Sequence, residues 1–314
     1  MPVGSALRML LVQPIGNAFA WGLNSTGQLG DGTAADKSSP VQIGALTNWA
    51  QISAGWTHSL SVKTDGTAWA WGDGTGGALG DGTAVSKSSP VQIGALTDWA
   101  QISAGLNFSL AVKTDGTAWA WGAGLAGALG DGTTADKSSP VQIGALTDWA
   151  QISAGGAYGL AVKTDGTAWA WGNAAFGALG DGTAVSKSSP VQIGALTDWA
   201  QISAGTQFSL AVKTDGTAWA WGSGTFGRLG DGTIVSKSSP VQIGALTDWA
   251  QISAGGAYGL AVKTDGTAWA WGVGASGRLG DGTTTDKSSP VQIGALTDWA
   301  QISAGTGHGM ALKV

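Results

Sequence analysis

Fifty residues, QISAGLNFSLAVKTDGTAWAWGAGLAGALGDGTTADKSSPVQIGALTDWA from Gln101 to Ala150, recur almost letter for letter from Gln51, Gln151, Gln201 and Gln251, and begin again at Gln301. A fixed period of this length restricts a chain to a solenoid or a propeller, because each unit buries its apolar faces only against its neighbours. The architecture is therefore far more constrained than any partner.

Within one period, turn signals separate four short apolar stretches, the spacing of an all-β blade. In the third copy the pattern predicts strand A over 99–104, B over 108–113, C over 117–121 and D over 140–143, and no helix. Strand C reads TAWAW, so alternation places Ala118 and Ala120 on one face and Trp119 and Trp121 on the other. Both faces are apolar, as a sheet between two other sheets requires. The Trp face of one blade is expected to pack on the small Ala face of the next, and seventeen of the eighteen Trp occupy such repeated positions. Between B and C, Asp115-Gly116 is the dipeptide of a type I′ hairpin.

QISAG, the Trp-Gly that ends strand C, and SSPVQIG each occur six times, which gives six blades. The chain enters inside a repeat: residues 9–22 align with 59–72, and 309–314 align with the same B strand. A single domain over 1–314 is expected: a six-bladed β-propeller of four-stranded antiparallel blades. Its last blade would take A and B from the C-terminus and C and D from the N-terminus, a two-plus-two clasp. That leaves one B strand spare, in the 1–12 segment (Met9–Val12) or at Met310–Val314. A monomer is expected, with a dimer through the spare strand as the alternative.

Composition narrows the function. No apolar run approaches eighteen residues, so no membrane span is expected. The Met9–Val12 patch is too short for a signal peptide, which makes the cytoplasm the default compartment. The acidic residues are all Asp, the net charge is −5, and no basic stripe suggests nucleic acid binding.

The hairpin AVKTDGTAWAWG, the stretch WGLNSTGQLGDGT from Trp21 to Thr33, the His58-Ser59 pair after Ala-Gly and the downstream SSPVQIG together resemble the regulator of chromosome condensation repeat family, from about Met9 onward. The resemblance implies a propeller, usually of seven blades where this chain counts six. The founding member is a nuclear exchange factor for the Ran GTPase, with an inserted β-wedge and a basic tail for chromatin; no repeat here carries such an insertion. Other members bind proteins with loops on one face, including bacterial inhibitors of β-lactamase.

The copies differ almost only in three windows: after Ala-Gly (Trp56 to His58 and equivalents), after Trp-Gly (Asp73 to Ala78 and equivalents) and after Asp-Gly-Thr (Ala84 to Ser86 and equivalents). In an up-and-down blade all three emerge on one face, while the unvarying TDGT and GALTD turns pave the other. Trp56, His58, Phe176, Phe226, Arg228 and Arg278 are the candidate contacts, being residue types favoured at binding hot spots. Tolerance of loops to change is the competing explanation. Position 58 and its equivalents are always aromatic or His, which also suits a packing role.

Enzymatic chemistry finds little support. GxGxxG occurs at Gly122, Gly222 and Gly272, but without the following helix that a dinucleotide needs. The Asp residues sit at turns, His58 and His308 alone make a poor metal site, and no Ser lies in a nucleophile elbow. No catalytic, cofactor-binding or metal-binding residue is assigned and no cofactor is expected. The leading expectation is a non-catalytic propeller that binds a protein through its variable face. A symmetric structural ring, recently amplified or designed and without a specific ligand, is the alternative. Carbohydrate binding and nucleotide exchange by family analogy are the weaker ones.

Overall fold

The computed structural model describes residues 16–313. The described residues form strands and short 3-10 turns, with no α-helix. The chain begins with a two-stranded half-blade, β1 (Phe19–Gly22) and β2 (Lys37–Gln42). Five complete blades follow. The first is β3 (Trp49–Ala54), β4 (His58–Lys63), β5 (Ala68–Gly72) and β6 (Lys87–Gln92), and the second β7 (Trp99–Ala104), β8 (Phe108–Lys113), β9 (Ala118–Gly122) and β10 (Lys137–Gln142). The third is β11 (Trp149–Ala154), β12 (Tyr158–Lys163), β13 (Ala168–Gly172) and β14 (Lys187–Gln192); the fourth is β15 (Trp199–Ala204), β16 (Phe208–Lys213), β17 (Ala218–Gly222) and β18 (Lys237–Gln242). The fifth is β19 (Trp249–Ala254), β20 (Tyr258–Lys263), β21 (Ala268–Gly272) and β22 (Lys287–Gln292). A second half-blade, β23 (Trp299–Ala304) and β24 (Gly309–Lys313), ends the chain.

Every sheet is antiparallel and in chain order, so the two half-blades hold the A–B and C–D strands of a sixth blade. They remain separate two-stranded sheets, and no described pairing joins β24 to β1. Strands A and B of the third copy match their expected bounds. Strand D begins three residues earlier than expected, at Lys137, because a bulge between Lys137 and Val141 lets it continue past Pro140 beside β9. The spare segment Met9–Val12 lies outside the described residues.

The B–C turn corrects the expectation of a type I′ hairpin. Only Gly116 has positive φ, +79°, and Asp115 does not. Gly116 N–H donates to Lys113 O and Lys113 N–H to Thr117 O, which is a three-residue loop with a left-handed glycine at the bulge. Asp115 acts through its side chain instead, accepting from the Thr117 N–H at 2.9 Å and the Thr117 hydroxyl at 2.7 Å. A Cβ at Gly116 would lie 2.2 Å from Thr147 O, so the invariant glycine also serves the close approach of the next turn.

Large side chains meet small ones between blades as the alternation predicts. Leu110, Ala118, Ala120 and Leu129 of the second blade pack with Trp149, Ile152 and Trp171 of the third. Trp171 is fully buried, lies 6.2 Å from Trp149, and donates from Nε1 to Ala128 O of the preceding blade at 3.0 Å. Its neighbour Trp169 is only partly buried. Burial of about 200 Å² of aromatic surface per inner Trp makes these contacts the main source of inter-blade cohesion. The innermost strands add polar stitching: Gln51 Oε1 accepts from Ile102 N–H and Ser53 Oγ from Ala104 N–H, each at 3.0 Å. The same two bonds recur at each later junction up to Ile302 and Ala304.

Candidate interaction face

Antiparallel order sends the A–B and C–D connections of every blade to one end. The bond from Ala123 N–H to Asn107 O, at 2.9 Å, ties the first window to the second there. The second is pinned to the third by a side chain: Asp136 Oδ1 accepts from Gly124 N–H at 2.9 Å, and Ser86 Oγ from Gly74 N–H at 3.2 Å. Asp and Ser interchange at this position because either supplies the acceptor. The base of the third window is an Asp-Thr turn. At Asp31, burial would raise the carboxyl, but the Thr33 hydroxyl and N–H, Lys37 and Asn24 bring it down to about 2. All three windows therefore share one braced end.

That bracing separates the six candidates. Trp56 is exposed, at 47%, with its N–H directed to Gly105 O of the next blade. His58 is corrected: it is buried at 1% and faces Ser109 Oγ at 3.0 Å, so it belongs to the junction and not to the contact face. Burial drives its imidazole down to about 4, against the opposing pull of Asp73. The equivalent Tyr158 donates to Phe208 O and receives a bond from Ser209, and burial raises its hydroxyl. Burial pushes Tyr258 up to about 12. The packing role suggested by the recurrence of aromatic side chains or His at this position is the observed one for these three.

Phe176 and Phe226 stand at the apices of the 3-10 turns Ala175–Gly177 and Thr225–Gly227. Their φ angles are +59° and +62°, and about half of each side chain is exposed. Arg228 is the second correction. It is buried at 7%, its Nε donates to Thr225 O at 3.0 Å, and its guanidinium lies 5.9 Å from the rings of both Phe208 and Phe226. It supports Phe226 from below. Arg278 makes the same bond to Ala275 O but is only partly buried, because only the half-blade β23–β24 follows it.

The structure shows exposed apolar residues at this end that were not singled out: Leu125 in the second window and Val185, Ile234 and Val235 in the third. Their signal was present, since apolar residues stand where other copies carry Thr or Ala, but no single copy shows it. With Trp56, Phe176 and Phe226 they make a discontinuous apolar surface confined to the varied end. A cleft of about 160 Å³ lined by Leu106 of the second blade, Gly156 and Asn173 of the third and Thr206 and Gln207 of the fourth, among others, opens at the same end.

The model of the regulator of chromosome condensation (RCC1) repeat matches residues 16–62, 65–112, 115–162, 165–212, 215–262 and 265–312. A second RCC1-repeat model matches 49–78, 99–127 and 199–228. Among solved structures the chain is similar to human WBSCR16, with a TM-score of 0.84 at 22% identity over 94% of this chain and 80% of that one. It is also similar to yeast RCC1 (Prp20) in its complex with Kap60, with a TM-score of 0.66 at 19% identity over 98% and 91%. A third likeness is to Prp20p from Saccharomyces cerevisiae, whose binding to Gsp1p and histones has been characterised, with a TM-score of 0.60 at 20% identity over 97% and 93%. These identities carry the fold alone. No curated protein sequence matches the chain.

Proposed function

The chain belongs to the regulator of chromosome condensation (RCC1) repeat family, and on that premise we propose that it is a non-catalytic protein-interaction module working through the varied end of its blades. One observation carries the proposal: Phe176 and Phe226 occupy positive-φ apices where other copies have Gly, Ala or Ser, and both rings face solvent. A left-handed backbone costs a bulky residue about 1 kcal/mol, and a half-exposed ring recovers only part of what full burial would give to offset it. Side chains held at a cost in the free protein suit a surface that is buried by something else. Trp56, Leu125, Ile234 and Arg278 extend that surface.

A protein partner fits better than a small ligand. The cleft at this end has about half the volume of the smallest ordinary ligand pockets, ~300 Å³, whereas the exposed apolar residues extend over four blades. The yeast relative Prp20 binds proteins, Kap60 as well as Gsp1p and histones. Those partners belong to that protein, and only the use of the fold for protein binding is taken from it.

The test is affinity capture from an extract of the source cells with two baits, the chain and its Trp56→Ser/Phe176→Gly/Phe226→Gly variant, with melting temperatures measured in parallel. A protein retained by the first and lost by an equally stable second bait supports the varied end as the site. Equal retention by both moves binding to the unvarying end, and no retention by either favours a structural ring.

A further inference from the structure

Every described lysine except Lys63 pairs with an Asp. The two arginines of the varied end do not, although all of the chain's acidic residues lie among the described ones. Each guanidinium makes one bond there, from Nε to the carbonyl three residues back, Thr225 O at 3.0 Å and Ala275 O at 2.9 Å. Arg228 is the more demanding of the two because it is nine-tenths buried. Burial pulls its pKa below the ordinary arginine value, and no neighbouring charge offsets the shift. A buried cation without a counter-ion is costly. The Phe208 and Phe226 rings offset part of that cost, but they use none of its remaining N–H groups. Ala78, Ala128 and Ala178 show that the position does without a charge in other copies.

The repeat shows where the guanidinium lies. Tyr158, Asn173, Ala175 and Ala178 line the cleft that opens at the varied end, and one period later these positions are Phe208, Ser223, Thr225 and Arg228. Arg228 bonds to Thr225 and stacks on Phe208, so its side chain fills the equivalent cleft. Its terminal nitrogens, unlike Trp99 Nε1 or His58 Nδ1, are not among the sealed and unpartnered atoms of the molecule. They are reached from the mouth of that cleft. The mouth is apolar on one side: a Cβ on Gly224 would lie 2.5 Å or less from the Val235 carbonyl, which brings Ile234 and Val235, both exposed, beside Thr225 and Phe226.

We propose that Arg228 is a carboxylate socket, in which an acidic side chain of a protein partner pairs with the guanidinium while its apolar neighbours cover Phe226, Ile234 and Val235. This rests on the varied end being a protein contact, and adds the chemistry of one contact. A guanidinium presents parallel N–H groups that match the two oxygens of a carboxylate. A single free cation suits a monoanion better than a phosphate dianion, since Lys237 of the same connection is already held by Asp231 at 3.6 Å. The chain's net charge of −5 repels an acidic partner elsewhere, so the pairing fixes where the partner sits as well as what it carries.

The chain has three arginines, so with isotope-labelled arginine the Arg228 Nε–H signal is assigned by its loss in Arg228→Lys. N-acetyl-aspartyl-leucinamide should move that signal to saturation, and the asparaginyl counterpart should bind about tenfold more weakly, the difference between a charge-assisted and a neutral hydrogen bond. Sodium acetate should move the same signal at higher concentration, and phosphate should do no better than acetate. No movement, equal binding of the asparaginyl peptide, or a preference for phosphate overturns the socket. Arg228→Met should melt no lower than the wild type, because it removes an unpaired charge and keeps an apolar filling; a clear drop would assign the guanidinium to the fold and overturn the socket as well. As a third bait in the affinity capture, Arg228→Met should hold the partner about tenfold less well. A partner lost by the Trp56/Phe176/Phe226 variant but held at full strength by Arg228→Met overturns the socket and leaves the protein-interaction reading standing. If no bait captures a protein, that reading fails and the peptide titration decides the socket by itself.

Discussion

The two ends of the blades use the same side-chain types for opposite purposes. At the unvarying end Lys113, buried at 7%, lies 4.5 Å from the Trp119 ring and 5.3 Å from Trp99, and 3.5 Å from Asp98. The cluster recurs at Lys163, Lys213 and Lys263. At the varied end Phe176 and Phe226 point outward from strained turns, and an Arg supports one of them. The aromatic and cationic residues of one end hold the blade's own strands together; those of the other leave apolar surface uncovered. Invariance between copies therefore marks intramolecular work, and variation marks the end where the fold imposes least.

The sharpest separation should come from the tryptophans. Trp171→Ala empties a fully buried inter-blade site and is expected to cost about 3–5 kcal/mol by denaturant unfolding. Trp56→Ala at the varied end should stay within about 0.5 kcal/mol. Comparable losses at both would break the contrast between the ends.

His58 tests a place where a varied window has been drawn into the core. Burial holds its imidazole neutral down to about 4 in the fold, while the unfolded side chain takes up a proton near 6.5. Between those values the unfolded chain binds more protons, so stability is full above about pH 6.5 and falls as the pH drops toward 4, by on the order of 3 kcal/mol. The Asp31 contribution is lost only lower, from 3.8 down to about 2. At the equivalent pairs of positions the junctions that follow the second and fourth blades carry Phe108 with Gly159 and Phe208 with Gly259, where His58 faces Ser109. The His58→Phe/Ser109→Gly variant should therefore melt at the same temperature throughout pH 4.5–6.5, while the wild type declines.

Asp98→Asn gives the second blade the residue that the first carries at Asn48. There Lys63 has no ion pair among the described residues and lies 5.7 Å from Trp69, and Trp49 Nε1 donates to Leu46 O instead. Because the Asp98 side chain is 41% exposed, solvent screens the pair, and a loss of about 1 kcal/mol that shrinks in high salt is expected from thermal melts.

The blades were legible because period-two alternation and a fifty-residue repeat leave one way to bury Trp119, Trp121 and the facing alanines. The turn at Asp115 was misjudged because Asp-Gly suits two hairpin types, and the choice rests on Asp115 bonding Thr117. Arg228 was misplaced because arginine is a residue type favoured at binding hot spots, whereas the rings against it, Phe208 of β16 and Phe226 of the 3-10 turn, are brought together only by the fold. Leu125, Ile234 and Val235 escaped notice because exposure in a loop has no period to betray it.

The smallest expected effect has the opposite sign from the rest. Replacing Phe176 or Phe226 by Gly, the residue at the equivalent Gly76, relieves the steric cost of a left-handed backbone at a side chain that is half exposed, and should stabilise the fold by about 0.5–1 kcal/mol. The gain should be smaller at Phe226, whose ring also rests on Arg228. Gly76→Phe should cost a similar amount. If the rings are retained for a partner, the stabilised variants must bind that partner less tightly. A variant that is both more stable and equally retentive would mean that the exposed phenylalanines serve neither the fold nor the contact.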